Sequence, residues 1–378
     1  MIDKAQARAC KGQSGIHQIC ITGKGQFSTF GFVGEDRQQL ILLGNSPSSG
    51  STLLADLLDS APFTACGPEL ELFCNRALYD FERFQRNPQR TSNIATLKAT
   101  GIHTRFDHLP SYGLSRSDLN NSFSKAPDLN SWIQDFARGF LAYREKLQDG
   151  FVFEKTPQNA NAIDLWLDAH PDHHFVYTVR HPLYVLDSLL RRGWGPYTAS
   201  ATWLVNVALY WNFREHPQVH LVKYEDLVSD PFARVSELLN TLCAPYNITA
   251  EDLRASYEEN PYRKQVKRIS SWSTGDGKSV QNANNRTVSD EVQKLFSGSL
   301  NTQIDPRFSS VYGIPELSMR EAMDFFHYSA EKPEGNYIQA SISINDAKKL
   351  WMKSLRYLLR GESWKVSQAH HRAVIQKK

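Results

Sequence analysis

Leu40-Ile41-Leu42-Leu43-Gly44-Asn45-Ser46-Pro47-Ser48-Ser49-Gly50-Ser51-Thr52-Leu53-Leu54 is the stretch whose reading decides the fold. Four consecutive branched aliphatic residues read as a strand buried on both faces, the signature of a parallel sheet. The strand ends at Gly44, small residues follow, and from Ser51 the apolar positions Leu53, Leu54, Leu57 and Leu58 recur at helical spacing. A strand, a small-residue turn and a helix N-terminus together make an anion site. Backbone N–H groups converge in the turn, and the helix adds about half a positive charge. Ser51 and Thr52 bring hydroxyl donors. Taken alone, the segment also reads as an ordinary Gly/Ser turn with a helix cap. The lysine that follows the second glycine of an ATP-binding loop is absent here, and Ser51 stands in its place, which argues against an ATP-driven kinase.

Working outward, three further strand patterns alternate with helical ones. Phe151-Val152-Phe153 precedes the periodicity of Ile163, Leu165, Trp166 and Leu167. Phe175–Val179 precedes a helix with Pro182 in its first turn, where proline is tolerated. Val219–Tyr224 follows the aromatic helical stretch Thr202–Phe213 and leads to a helix capped near Asp230-Pro231. Such alternation predicts an α/β fold with a three-layer parallel sheet. Residues 1–38 read as a polar N-terminal extension, and 39–300 as the main domain. Within it, residues 75–148 read as a helical insertion over the sheet edge near the acceptor site. Residues 301–378 are expected to form a helical region packed on the same domain, with an amphipathic helix over Ile344–Leu359. Residues 255–290 are polar and locally basic, a long loop of the kind that carries function.

The strand ends carry the chemistry, because ligands of open α/β sheets bind outside the carboxyl ends of the strands. Arg180 ends the third of these strands, and Ser188 and Arg192 share a face of the helix beyond it. An arginine with a hydroxyl there suits a terminal phosphate, gripped bidentately by the guanidinium; a surface salt bridge is the plainer use of such an arginine. Glu154-Lys155-Thr156-Pro157 ends the second strand, where Lys155 is placed to reach a donor's bridging oxygens or simply to be solvated. Lys223-Tyr224-Glu225-Asp226-Leu227 ends the last, with Tyr224 a candidate lining residue and the acids reading mostly as helix caps.

Taken in order, these segments resemble the sulfotransferases that use 3'-phosphoadenosine 5'-phosphosulfate (PAPS), over roughly residues 40–290. The family's P-X-S-G-S/T-T loop appears as Pro47-Ser48-Ser49-Gly50-Ser51-Thr52, and its arginine with a serine eight residues on as Arg180 and Ser188. The Y-E-D-L segment and its D-P follow at Tyr224–Leu227 and Asp230-Pro231. The resemblance implies a P-loop nucleoside-triphosphate-hydrolase-like sulfotransferase fold. It implies that the loop binds the 5'-phosphosulfate, that Arg180 and Ser188 bind the 3'-phosphate, and that Arg192 is a second basic contact. It also implies a general base about where Glu69 stands, in Cys66-Gly67-Pro68-Glu69-Leu70-Glu71-Leu72-Phe73. Glu71 is open to acceptor recognition or a structural role. His108, in an H-L-P context, and His103 are the alternative acceptor-side residues. One departure stands out: most members carry arginine or lysine directly after the loop proline, and this chain has Ser48. Lys155 is then the main candidate for the missing charge, with the late basic residues Arg263, Lys264, Lys267, Arg268 and Arg286 as further sources.

The bulk composition agrees. With 41% hydrophobic and 22% charged residues among 378, the chain can bury a sizeable core. A net charge of +3 is too small for a nucleic-acid or membrane footprint, and the family resemblance implies a small-molecule acceptor as the partner. Five cysteines without C-x-x-C spacing and the lack of a signal-type apolar run lead to the expectation of a reduced, cytoplasmic location. The donor is expected to be PAPS, released as PAP, with no metal. Two other functions fit parts of the pattern: a small-molecule phosphotransferase, and a PAP- or PAPS-binding protein without catalysis.

Overall fold

The computed structural model describes residues 40–86, 107–260, 287–329, 348 and 374–376. Five parallel strands form the central sheet: β1 (Leu40–Asn45), β2 (Thr64–Cys66), β3 (Phe151–Lys155), β4 (Phe175–Val179) and β5 (Val219–Lys223), in the order β2-β3-β1-β4-β5. Numbered in chain order, the helices before β4 are α1 (Ser51–Leu58), α2 (Phe81–Arg86), α3 (Arg116–Lys125), α4 (Leu129–Tyr143) and α5 (Ile163–Ala169). After β4 come α6 (Pro182–Arg191), α7 (Pro196–Trp211), α8 (Tyr224–Ser229), α9 (Pro231–Leu242) and α10 (Ala250–Glu259). Then follow α11 (Asp290–Ser299), β6 (Thr302–Ile304), α12 (Pro306–Tyr312), α13 (Met319–Phe325) and β7 (Val374–Gln376).

Alternation along β1 divides the core into two layers. Leu40 and Leu42 pack with Val152, Phe175 and Tyr177 against α4, α5, α6 and α7. Ile41 and Leu43 pack with Phe153 and Val176 against α1, α9 and α10 on the opposite face. Both sheet faces are therefore dry, which is why the strands read as unbroken apolar runs. Within the stretch read as an insertion, α4 packs on the face made by β1, β3 and the edge strand β2. The region after residue 300 adds β6 and β7, an antiparallel ribbon, to the expected helices. Its Ile304, Met323 and Phe326 join the same core as α7. The expected helix over 344–359 lies outside the described residues apart from Lys348, which is helical.

From β1 the chain turns one way, to β2 and β3, and afterwards the other way, to β4 and β5. The reversal falls between the neighbours β1 and β4, and the C-terminal side of such a switch point is where open α/β sheets bind ligands.

The opposite edge of the sheet holds four histidines. His173 Nδ1 donates to the Leu40 carbonyl at 3.1 Å, His174 Nδ1 and His220 Nε2 stand 3.0 Å apart, and the His170 ring lies on Trp166. Burial pushes His170 down to about 3 and His173 and His220 to about 4, and lowers His174. The unfolded chain, titrating near ~6.5, then binds more protons than the fold between about pH 4 and about pH 6.5. Stability present above that window is lost as the pH falls through it. The melting temperature should drop steeply between about pH 6.5 and about pH 4.5, and His174→Gln with His220→Gln should flatten the drop. A flat wild-type profile there would contradict this reading.

Candidate active site

Every strand of the central sheet contributes a residue or loop at its C-terminal end. The turn after β1 runs from Ser46 to Gly50. Ser48 has φ 66° and Gly50 φ 82°, both left-handed, and this winds the backbone tightly into α1. Gly50 has a second reason to lack a side chain: a Cβ there would lie 2.2 Å from Tyr224 Cδ2. The hydroxyls of Ser46, Ser48 and Ser49 are buried without a hydrogen-bond partner, and no side chain caps α1. Each orphaned buried hydroxyl costs about 1–3 kcal/mol, so three in one turn mark a cradle for a ligand rich in acceptor oxygens. Ser51 is buried and Thr52 exposed on the first turn of α1.

Arg180 follows β4 beside this cradle, 8% exposed. Its guanidinium lies over the Tyr224 ring at 4.2 Å and the Tyr184 ring at 5.4 Å, and reaches within 3.5 Å of the Ser48 carbonyl. Tyr224, at the end of β5, thus touches the anion loop through Gly50 and seats Arg180 with its face. The backbone just after Arg180 is held too. His181 N–H donates to Glu225 Oε1 at 2.9 Å, and Tyr328 O–H donates to Glu225 Oε2 at 3.0 Å. Glu225, read from sequence as a helix-capping acid, instead ties the segment around Tyr328 to the strand end. His181 caps α6, its Nδ1 accepting from Leu183 N–H, while Nε2 contacts the Ser329 carbonyl at 3.0 Å. Ser188 is half-buried on α6. Arg192 follows that helix; burial lowers its pKa and the nearby Glu69 carboxylate raises it.

Lys155, the last residue of β3, is 5% exposed. Its Nζ donates to Glu69 Oε1 at 2.8 Å, so the sequence-predicted base and cation form one ion pair. Glu69 lies beyond β2 and keeps its side chain 21% exposed, the more accessible member of the pair. Glu71, with φ 55°, is buried. His108 is also buried; its Nδ1 donates to the Glu69 carbonyl at 2.6 Å, and its Nε2 lies 3.6 Å from Asp107. Glu154, directly before Lys155, is fully buried. Its burial pushes its carboxyl pKa up, while hydrogen bonds from Asn159, Thr156 and the Leu70 amide pull it down. His103, Arg263, Lys264, Lys267, Arg268 and Arg286 lie outside the described residues.

Sequence reasoning missed Tyr184, Tyr328 and the roles of Glu225 and Glu154. Glu225 stood in the Y-E-D-L segment and was read only as a cap, and Glu154 was visible as an acid directly after the apolar run Phe151–Phe153.

A model described as "Sulfotransferase family" matches residues 41–247 of the chain. A search among curated proteins finds no match. Among solved structures, the sulfotransferase domain of the Synechococcus PCC 7002 olefin synthase is 21% identical, with 78% of this chain and 95% of that chain covered, at a TM-score of 0.45. The sulfotransferase domain from the curacin biosynthetic pathway is 17% identical, with 78% and 99% covered, at a TM-score of 0.39.

Proposed function

The chain belongs to the sulfotransferase family, and on that premise we propose that it transfers a sulfuryl group from PAPS to a small-molecule acceptor. The receiving atom is a hydroxyl oxygen or an amine or amide nitrogen, and PAP is released. One observation carries the reading: the buried, unpartnered hydroxyls of Ser46, Ser48 and Ser49 lie in a left-handed turn beside the Arg180 guanidinium. A phosphate or sulfate supplies the acceptor oxygens these groups lack.

In this reading Ser48, Ser49, Gly50, Ser51 and Thr52 hold the 5'-phosphosulfate, and Arg180 with Ser188 and Arg192 holds the 3'-phosphate. Tyr224 keeps Arg180 and the loop in fixed relation. Arg286 remains a donor contact implied by the family resemblance alone. The donor supplies the activated sulfuryl group. Glu69 takes the acceptor's proton at its carboxylate, and Lys155 places a positive charge beside it. That charge compensates for the Ser48 position, where the family usually has a cation. Glu71 and His103 belong to the acceptor side of the proposal, and His108 reaches that side through the Glu69 main chain. No helix among the described residues is long and apolar enough to cross a membrane. A cytoplasmic location with no nucleic-acid or membrane partner is part of the same proposal.

Thermal shift tests the donor: PAP should raise the melting temperature by mass action and ATP should not. Radiolabelled sulfate should then move from PAPS to members of a phenol, alcohol and amine panel. A shift with ATP and none with PAP would sink the reading. Arg180→Ala should weaken PAP by roughly 1.5–3 kcal/mol, the range for hydrogen bonds to a charged group. Adenosine 5'-phosphosulfate, lacking the 3'-phosphate, should bind wild type and variant about equally. Equal loss for both ligands would mean that Arg180 supports the loop instead of reading the 3'-phosphate.

A further inference from the structure

Residues 67–71 form neither helix nor strand, yet one backbone polar group on each of the four residues from Pro68 to Glu71 is taken up by a side chain from elsewhere. Tyr112 O–H donates to the Pro68 carbonyl at 2.6 Å, and His108 Nδ1 donates to the Glu69 carbonyl at 2.6 Å. Leu70 N–H donates to Glu154 Oε1 at 3.0 Å, and Glu71 N–H donates to Thr156 Oγ1 at 3.0 Å. The last two anchors are themselves joined, because Thr156 O–H donates to Glu154 Oε1 at 2.7 Å. Gly67 lets the Tyr112 ring lie close: a Cβ there would stand 2.4 Å from the ring. Glu71 is held at φ 55°, a conformation that persists in a side-chain-bearing residue only when its surroundings over-determine it.

The same network reaches the anion loop. Asn159 Nδ2 donates to Glu154 Oε2 at 2.7 Å and to the Leu43 carbonyl at 3.1 Å, and Thr156 N–H donates to that carbonyl at 3.1 Å. Leu43 lies in β1 just before the cradle, so the Glu69 segment and the strand leading into the loop share one hydrogen-bonded frame. Filling the volume does not require a fully buried carboxylate, which is costly without partners. Fixing the Leu70 amide directly, and the Glu71 amide through Thr156, does use one.

We infer that Glu154, Thr156, His108 and Tyr112 are positioning residues: they lock the backbone from Pro68 to Glu71 so that the Glu69 carboxylate stays on Lys155. The inference rests on the reading of Glu69 as the base. A base works only within hydrogen-bond reach of the proton it takes, and misplacement by about an ångström lowers rate far more than affinity. Lys155 from β3 and Arg192 beyond α6 face Glu69 with positive charge, and Glu71, Glu154 and Asp107 are the acids around its segment. His108 is the remaining titratable neighbour.

Thr156 gives the cleanest test, since Thr156→Val keeps shape and removes the hydroxyl that joins Glu71 to Glu154. The full chain is assayed with labelled PAPS and the best acceptor of the phenol, alcohol and amine panel, or with water where none reacts. Thr156→Val should lower kcat about tenfold with KM for PAPS within about twofold, and should move the limb of the pH–rate profile that depends on Glu69. Thr156→Ser, which restores the hydroxyl, should return both to within about twofold of wild type. Glu69→Gln is run alongside. If Glu69→Gln loses turnover while Thr156→Val keeps the wild-type rate and pH profile, the positioning role is overturned and the base stands. If Glu69→Gln keeps full turnover, the reading of Glu69 as base falls, and the positioning role with it.

Discussion

Glu69→Gln is expected to lower turnover by ~10²-fold or more while PAP affinity stays within about twofold. Glutamine keeps the size of the side chain, and its amide oxygen still accepts from Lys155 Nζ, which donates to Glu69 Oε1 at 2.8 Å in the wild type. What is lost is the site that takes a proton. A general base contributes typically ~10²–10⁴-fold, and that interaction exists only as the acceptor's proton leaves, so kcat and kcat/KM should fall together. The pH–rate profile supports the same separation: one ionisation limb in the wild type should be absent in the variant. The structure sharpens the comparison with His108. Its ring is buried, and Nδ1 is engaged by the Glu69 carbonyl, so His108 acts on Glu69 through the main chain. An active Glu69→Gln enzyme beside an inactive His108→Ala one would reverse the two assignments.

The parts of this fold that were legible in the sequence are those buried on both sides. Leu40–Leu43, Phe151–Phe153 and Phe175–Val179 are unbroken apolar runs because helices cover both faces of β1, β3 and β4. Strand β2 left no such mark. Thr64-Ala65-Cys66 is three residues long, opens with a threonine and, among the described residues, pairs with β3 alone, which is too short for periodicity to register. The position of α4 was equally hidden. Its apolar stripe of Trp132, Ile133, Phe136 and Phe140 announces a helix with one buried face but says nothing about which surface that face meets.

The site divides along a similar line. The residues proposed to meet the donor follow strand ends in fixed order, so the loop, Lys155, Arg180 and Tyr224 were readable as a series. Residues that hold those groups in place come from anywhere in the chain. Tyr328 lies 103 residues from the Glu225 it bonds, and Thr156 lies 85 residues from Glu71. No spacing rule connects such pairs. Glu225 shows the difference most plainly, because a glutamate in the first turn of a helix is ordinarily a favourable partner for the helix dipole. In the fold its two oxygens are committed to His181 N–H and Tyr328 O–H.

Lys155→Ala should cost turnover about as much as loss of the base, ~10²–10³-fold, with only a few-fold loss of PAPS affinity. That is the range for removing one preorganised charge or donor from a reacting centre. The loss is asymmetric because charge on the leaving oxygen develops only along the reaction, so an interaction with it stabilises the transition state more than the bound donor. The ion pair adds a second consequence. Lys155 is almost fully buried against Glu69, and its removal leaves a partly buried carboxylate without its cation, a situation that disfavours the ionised form. The acid limb of the pH–rate profile should therefore move to higher pH in Lys155→Ala. Because the two side chains touch, their effects should not add. Once Lys155 is gone, converting Glu69 to Gln should remove less than it removes from the wild type. Ser48→Lys in the Lys155→Ala background should recover part of the turnover, since the family resemblance implies a cation at position 48. Its left-handed φ of 66° is already borne by a residue with a side chain. Strictly multiplicative losses in the double variant would mean that the pair does not act as a unit. Wild-type turnover in Lys155→Ala would move the compensating charge elsewhere, with Arg192, whose charge already senses Glu69, the next residue to change.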